Sequence, residues 1–375
     1  MTEQTPQYFI GLISGTSMDG IDAALIQCSN GDLKLLETHS EAYSDALQKR
    51  LNTIVVNASG IALDELGQVD VMVANSFVDA ARNLLKKTGL QASDIAAIGS
   101  HGQNIRHGAD ATTPFTLQIG DPNTIASQTD IKTVADFRRK DIALGGQGAP
   151  LAPGFHQAVF ASSEYDRAVV NIGGISNMTL MQKDGSVSGH DCGPGNTLMD
   201  LWAQKHIQMP FDHSGAWAQM GQVEATLLLQ LITDDYFKLA PPKSTGREYF
   251  NLDWMQDSLC NFPDLDPMDV QATLCDLTAQ CIARDINSAL QEKDLDIDAV
   301  YVCGGGAHNK FLLQRLESMI PCQVYSTQTL GVHPDWVEAM AFAWLAKQTV
   351  TQQAGNIPEV TGARRAAVLG GIYIP

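Results

Sequence analysis

Basic residues are scarce in this chain of 375 residues. Lys and Arg total 24 against 42 Asp and Glu, a net charge of −18. So acidic a chain is repelled by nucleic-acid backbone and by anionic lipid, and neither is expected as a partner. The densest basic cluster, Arg138-Arg139-Lys140, is too short to reverse that. Long apolar runs are missing as well: no stretch approaches the roughly 18 residues of a membrane helix. The start, Met1 to Gln7, is polar and lacks the charged-then-apolar pattern of a secretory signal. None of the seven cysteines pairs with another at the two-residue spacing of a zinc or redox motif. Their mostly apolar neighbours predict buried free thiols. These absences predict a protein of the reducing cytoplasm.

Hydrophobic residues make up 44% of the chain and charged residues 18%, enough apolar material for cores. The length exceeds what one core usually serves, so two domains are expected. One pattern occurs twice. The apolar run Tyr8 to Ile13 passes through a small polar turn, Ser14 to Gly20, into a second run, Ile21 to Ile26. Later, Ala168 to Ile172 passes through Gly173-Gly174-Ile175-Ser176-Asn177 into Met178 to Met181. Each reads as strand, glycine turn, strand, which fits either a repeat or two unrelated hairpins. Helical spacing marks Asp45–Val56, Val69–Lys87, Thr197–His206, Val270–Leu290, Asn309–Met319 and Val337–Lys347, with Asp269 a candidate cap before the fourth. Short strands are expected at Ile95–Gly99, Ser186–Gly189 and Val300–Cys303. Alternating strands and helices give an α/β class.

Several segments can carry chemistry. In Gly15-Thr16-Ser17-Met18-Asp19-Gly20 the glycines let backbone N–H groups approach an anion, and two hydroxyls add donors. The loop has no Lys before Ser/Thr and no helix directly after it, so it is neither a Walker loop nor a dinucleotide fingerprint. It is a hairpin gripping phosphate or a tight turn with a solvated Asp. Asp19 and Asp22 suit Mg²⁺ held through water. Gly304-Gly305-Gly306 gives a flat ligand bare backbone to lie on, or is simply a turn. Asp191, after the expected strand 186–189 and before a helix, is a general base or a helix cap. His101 binds a sugar hydroxyl or is a satisfied loop histidine. Arg138 and Arg139 suit a carboxylate or phosphate, or a solvated surface. Glu338 stands at a helix start, where it also suits the helix dipole.

Taken together, these segments resemble the anhydro-N-acetylmuramic acid kinase family of the actin, Hsp70 and sugar-kinase superfamily. The matching stretches are Ile10 to Asp22, Ser100 to Gln103, Leu117 to Asp121, Asp136 to Arg138, Gly145 to Leu151 and Asn171 to Asn177. Further on come Asp191 to Asn196, Gly304 to Asn309, Pro334 to Ala339 and Val360 to Arg365. Cys192 and Met18 are small departures from the family's usual Thr and Leu.

The resemblance implies a duplicated, two-lobed, actin-like (ribonuclease H-like) α/β fold with an ATP cleft between lobes. The lobes are expected at 1–135 and 136–375, the C-terminal helix possibly returning to the first. Gly15, Thr16, Ser17, Met18, Asp19, Gly20, Ile21 and Asp22 would hold the terminal phosphates. Gly173, Gly174 and Asn177 would meet them, and Gly304, Gly305, Gly306 and Asn309 would carry the adenosine. Asp191 would be the catalytic base. His101, Asp121, Arg138, Arg139 and Glu338 would bind the sugar, one of the two arginines clamping its lactyl carboxylate. ATP and Mg²⁺ are the implied cofactors and a homodimer the implied assembly. The implied reaction opens 1,6-anhydro-N-acetylmuramic acid with water and phosphorylates O6, in peptidoglycan recycling. Another sugar kinase on this fold and an actin-like polymer-forming ATPase are the alternatives. An Hsp70-type protein would need a peptide-binding module for which no residues remain.

Overall fold

The computed structural model describes residues 6–15, 18–29, 32–56, 60–293, 295 and 297–375. The expected phosphate-loop residues Thr16 and Ser17 lie outside them. The chain divides into two compact units: residues 1–155 with 336–375, and residues 156–335. The division falls after Phe155 rather than after residue 135, so Arg138 and Arg139 belong to the first unit.

The first unit is built on six strands numbered in chain order: β1 (Gln7–Ser14), β2 (Gly20–Ser29), β3 (Asp32–Ala42), β4 (Ile95–Gly108), β5 (Phe115–Ile119) and β6 (Thr133–Ala135). The strand Gly371–Tyr373 pairs with β6 at the sheet edge. Strands β1, β2 and β3 form an antiparallel meander. On the other side of β1, β4 and then β6 run parallel to it. The second unit repeats this plan with β7 (Asp166–Ile172), β8 (Ile175–Met181), β9 (Val187–Pro194), β10 (Ile297–Cys303) and β11 (Gln323–Ser326). Strands β7, β8 and β9 are the antiparallel meander, and β10 and β11 are the parallel pair beyond β7. Strand order and sense match one for one. This is the ribonuclease H-like sheet, present twice, and the two glycine hairpins occupy equivalent places in the two copies.

Long helices cover the sheets. The helix Leu63–Thr88 buries Val69, Val73, Phe77, Ala81 and Leu84 at three- and four-residue spacing, and Gly89 ends it in the left-handed region at φ 74°. It begins six residues before the expected Val69, because the polar turn 63–68 carries no apolar periodicity. In the second unit the helix Pro267–Lys293 starts before Asp269. Asp269 is therefore not its cap; its carboxylate accepts the Gln222 N–H at 2.7 Å. Of the seven free cysteines, Cys192, Cys275, Cys281 and Cys303 are buried, but Cys260 is exposed and Cys28 and Cys322 are half-buried.

The helix Val337–Val350 lies on β1 and β4 of the first unit, where Gly11 and Gly99 are register neighbours. A Cβ on Gly11 would stand 1.8 Å from the Ala339 carbonyl oxygen, and one on Gly99 2.0 Å from that of Phe342. The missing side chains are what allow backbone to touch backbone here. The obstructing atoms are main chain and cannot rotate away. Gly99→Ala should therefore cost at least about 3 kcal/mol, the upper part of the range for overpacking. A urea-unfolding midpoint close to that of the parent protein would contradict this account.

Candidate functional site

The first hairpin turn is fixed from below. Ser14 Oγ donates to the Gly20 carbonyl at 2.8 Å and lies 2.6 Å from Gln103 Oε1. Gln103 Nε2 donates to the Gly15 carbonyl at 3.3 Å. Gly20 packs so closely on β3 that a Cβ would meet the Glu41 carbonyl at 2.4 Å. Met18 takes a left-handed backbone, φ 54°, with its side chain in the core. Ile21 is equally buried. Of the expected phosphate-holding residues, Met18 and Ile21 can thus offer a ligand only backbone. Asp19 is exposed, and the half-buried Asp22 accepts the Ser40 hydroxyl at 2.8 Å. Nothing in the sequence around Gln103 marks it as the brace of a residue 88 positions away.

A cavity of about 180 Å³ lies at the C-terminal ends of β5 and β6 and beside the middle of β4, lined by His101, Asp121 and Arg139 together with Ser100, Asp70 and Asp136. Three of the five expected sugar-binding residues therefore share one pocket, and Arg138 reaches it through His101. His101 Nδ1 faces the Gly102 carbonyl at 3.0 Å, which can only accept. Its Nε2 faces Arg138 Nε at 3.1 Å, which can only donate. The ring is therefore the neutral Nδ1–H tautomer. Burial, then the Arg138 charge, pushes its pKa well below the ordinary value. Phe342 packs on the ring at 4.6 Å. Asp121 caps the helix Pro122–Thr129, accepting the Asn123 and Thr124 N–H groups at 3.1 and 3.0 Å. Burial pushes its carboxyl up, but the bonds from Thr124 and Asn123 outweigh this and hold it low. Asp70, which the sequence did not single out, accepts the Gly120 N–H at 2.6 Å; burial raises its pKa. Arg139 is largely exposed, 3.7 Å from Asp136. Glu338 sits half-buried in the first turn of the 337–350 helix and does not line this cavity.

In the second unit Asp191 is not between a strand and a helix, as the sequence suggested, but inside β9. Asn177 pairs with Asp191 and Ser176 with Gly193, so Cys192 is the extra residue of a bulge. Asn196, not Asp191, is the cap residue of the helix Thr197–Ile207. Asp191 is buried, 6% exposed, and held at three points. Its N–H donates to the Lys243 carbonyl at 3.3 Å, its carbonyl accepts the Tyr236 hydroxyl at 2.7 Å, and its Oδ2 accepts the Thr245 N–H at 3.0 Å. Asn171, Asn177 and Asp191 form one row across β7, β8 and β9. Asn177 Oδ1 is buried with no partner among the described residues. The Gly173 and Gly174 carbonyls accept the N–H groups of Asn196 and Gly195 at 2.8 and 2.9 Å, tying the second hairpin turn to the Gly195-Asn196 segment. Gly304, at φ 77°, has no room for a Cβ beside Asn171 Oδ1. Asn309 caps the helix Lys310–Glu317 through the Leu312 N–H, a structural use of a residue expected to meet nucleotide.

Buried neutral histidines make this fold acid-sensitive. Burial lowers His156 to about 3, and burial with the Arg138 charge lowers His107 to about 4. In the unfolded chain each titrates near roughly 6.5. Below that pH the unfolded state binds more protons, so stability is complete above it and falls as pH drops toward 4. Urea midpoints should decline from pH 6.5 to 4.5, and His156→Gln should flatten the decline. In the same window the His101 ring should remain the neutral Nδ1–H tautomer by ¹⁵N NMR. A titrating His101 would refute the assigned bonding.

The sequence profile described as anhydro-N-acetylmuramic acid kinase matches residues 7–375. Proteins named anhydro-N-acetylmuramic acid kinase are similar over nearly the whole chain. The one from Shewanella baltica is 50% identical over 98% of this chain and 98% of its own. The one from Shewanella frigidimarina is 49% identical over 98% of each. That from Coxiella burnetii is 47% identical over 97% of each. Such identity along essentially the full length of both partners means that this chain belongs to the anhydro-N-acetylmuramic acid kinase family.

Proposed function

We propose that the protein is an ATP-dependent kinase that opens 1,6-anhydro-N-acetylmuramic acid with water and phosphorylates O6. The products are N-acetylmuramic acid 6-phosphate and ADP, and the context is peptidoglycan recycling and amino-sugar catabolism. The reading rests on near-full-length identity to enzymes of that name. A cytoplasmic location and a homodimer accompany it as expectations from the family resemblance.

Asp191 is the base in this reading. Its three-point attachment holds the main chain at two points and the carboxylate at Oδ2. Orientation of that kind is what a general base requires before its pKa matters. The water oxygen bonds to C1 as the C1–O6 bond breaks, and Asp191 takes the water proton. O6 bonds to the γ-phosphorus as the bond to the β-phosphate oxygen breaks. No separate acid is needed, because O6 passes its electrons to phosphorus. Water attacks from the face opposite O6, as in inverting glycosidases.

The first hairpin, Gly15 to Asp22, and the second, Gly173, Gly174 and Asn177, supply backbone and amide groups to the phosphates. Gly304, Gly305 and Gly306 offer bare backbone to the adenosine, with Asn309 holding the helix that follows. Asp19 and Asp22 are carboxylates that fit a hard cation bound through its waters. When bound, Mg²⁺ would neutralise phosphate charge. His101 is neutral and buried, and it orients Arg138. Arg139 stands at the cavity edge with its guanidinium exposed. That exposure favours Arg139 for the lactyl carboxylate, since guanidinium meets carboxylate in bidentate geometry. Asp121 and Glu338 are assigned to the sugar.

Incubation with ATP and the anhydro sugar in ¹⁸O-water should place label at C1 of a 6-phosphorylated product. Unlabelled C1 would defeat the ring-opening reading. Asp191→Asn keeps an oxygen for the Thr245 N–H and removes the base. It should lower turnover by roughly 10²–10⁴-fold while sparing ATP binding. Near-normal turnover would remove Asp191 from the role.

A further inference from the structure

We infer that Lys243 is an anion-binding residue of the reaction, its ammonium receiving a carboxylate or phosphoryl oxygen of a reactant close to Asp191. The residue is 6% exposed. Its ammonium lies 4.8 Å from the centre of the Tyr236 ring, and that ring is itself buried. No carboxylate among the described residues reaches ion-pair distance of it. A cation–π contact offsets a small part of the cost of taking an ammonium out of water. A buried cation without an anion is strongly disfavoured, so chains that keep one supply the anion in some other way.

The neighbouring acid does not supply it. Asp285 takes part in the same electrostatic neighbourhood, but its carboxylate is engaged by His190 Nε2 at 2.9 Å and Arg284 Nη2 at 2.9 Å. Lys243 lies in the electrostatic neighbourhood of both Asp285 and the Cys192 thiol. The main chain of the same residue accepts the Asp191 N–H, and the residue two further on donates to the Asp191 carboxylate. Tyr236, under the ammonium, donates to the Asp191 carbonyl. One short stretch thus holds the proposed base and brings a buried ammonium into its neighbourhood. Both reactants of the proposed reaction carry anions, a lactyl carboxylate on one and phosphates on the other.

The inference rests on Asp191 marking the reaction centre, and the test separates the two. Lys243→Gln and Lys243→Arg are prepared, with thermal midpoints and near-UV circular dichroism checking the fold. KM and kcat are measured with ATP and the anhydro sugar varied separately, and again with an N-acetylated 1,6-anhydro sugar lacking the lactyl group. Lys243→Gln should lower kcat/KM by at least roughly 30-fold, the loss seen when one side of a buried charge pair is removed. Lys243→Arg should recover part of it. A loss confined to the lactyl sugar identifies the carboxylate as the anion. An equal loss with both sugars, with a raised KM for ATP or a lowered kcat, identifies the phosphoryl group. If kcat/KM stays within about twofold for every reactant, or only the thermal midpoint falls, Lys243 is structural and the inference is overturned. An active Asp191→Asn variant would defeat the base assignment while leaving the Lys243 result to stand on its own KM values.

Discussion

The first unit depends on an approach between backbone and backbone that two missing side chains permit. With Gly11 and Gly99 side by side on β1 and β4, the helix 337–350 lies closer to the sheet than any Cβ would allow. That depth carries Phe342 onto His101 at 4.6 Å and toward Phe137 at 5.7 Å. Phe137 opens the helix that bears Arg138 and Arg139. The ring of His101 is then shut away from water, remains neutral, and can accept from Arg138. A protonated imidazole would repel that guanidinium. The orientation of an arginine is in this way traceable to two glycines that never touch it.

Duplication gives the two hairpins the same position in their sheets and different means of support. The first turn is braced by side chains, Ser14 and Gln103, with Met18 strained into the left-handed region to bury its thioether. The second is tied by main chain, Gly173 and Gly174 carbonyls to the segment that starts the next helix. Gly195 has no space for a Cβ against the Gly173 carbonyl.

The two hairpins, the parallel strands β4 and β10 and the longest helices are legible because periodicity and glycine turns are local signals. The internal repeat was legible only as a pattern; strand order made it a duplicated sheet. Strand β9 was misread because Gly189, Gly193, Pro194 and Gly195 look like breakers, while its pairing with β8 runs to Pro194 through a bulge. That bulge moved Asp191 from a strand end into a strand. Strand β4 runs past its expected end at Gly99, because the polar stretch from Gln103 to Gly108 pairs with β5. Asn309, expected near the nucleotide, is also the cap of the helix that follows it. Asp70, Gln103, Tyr236 and Lys243 meet the sites only across long separations in sequence, and no spacing rule reaches them.

Net charge raises a difficulty that the local structure answers. A chain at −18 repels ATP and a sugar carboxylate at long range. At physiological salt, however, exposed charges more than about 8 Å away are largely screened. What decides binding is therefore the sign of the nearest few groups and how well they are desolvated. Backbone N–H groups at glycine turns attract phosphate without adding cations to the count. The positive side chains near the candidate sites are each oriented or confined: Arg138 by His101, Arg139 by Asp136, Lys243 by the Tyr236 ring. An acidic exterior with a few positioned donors discriminates more sharply than a basic surface would, because fewer competing sites attract an anion.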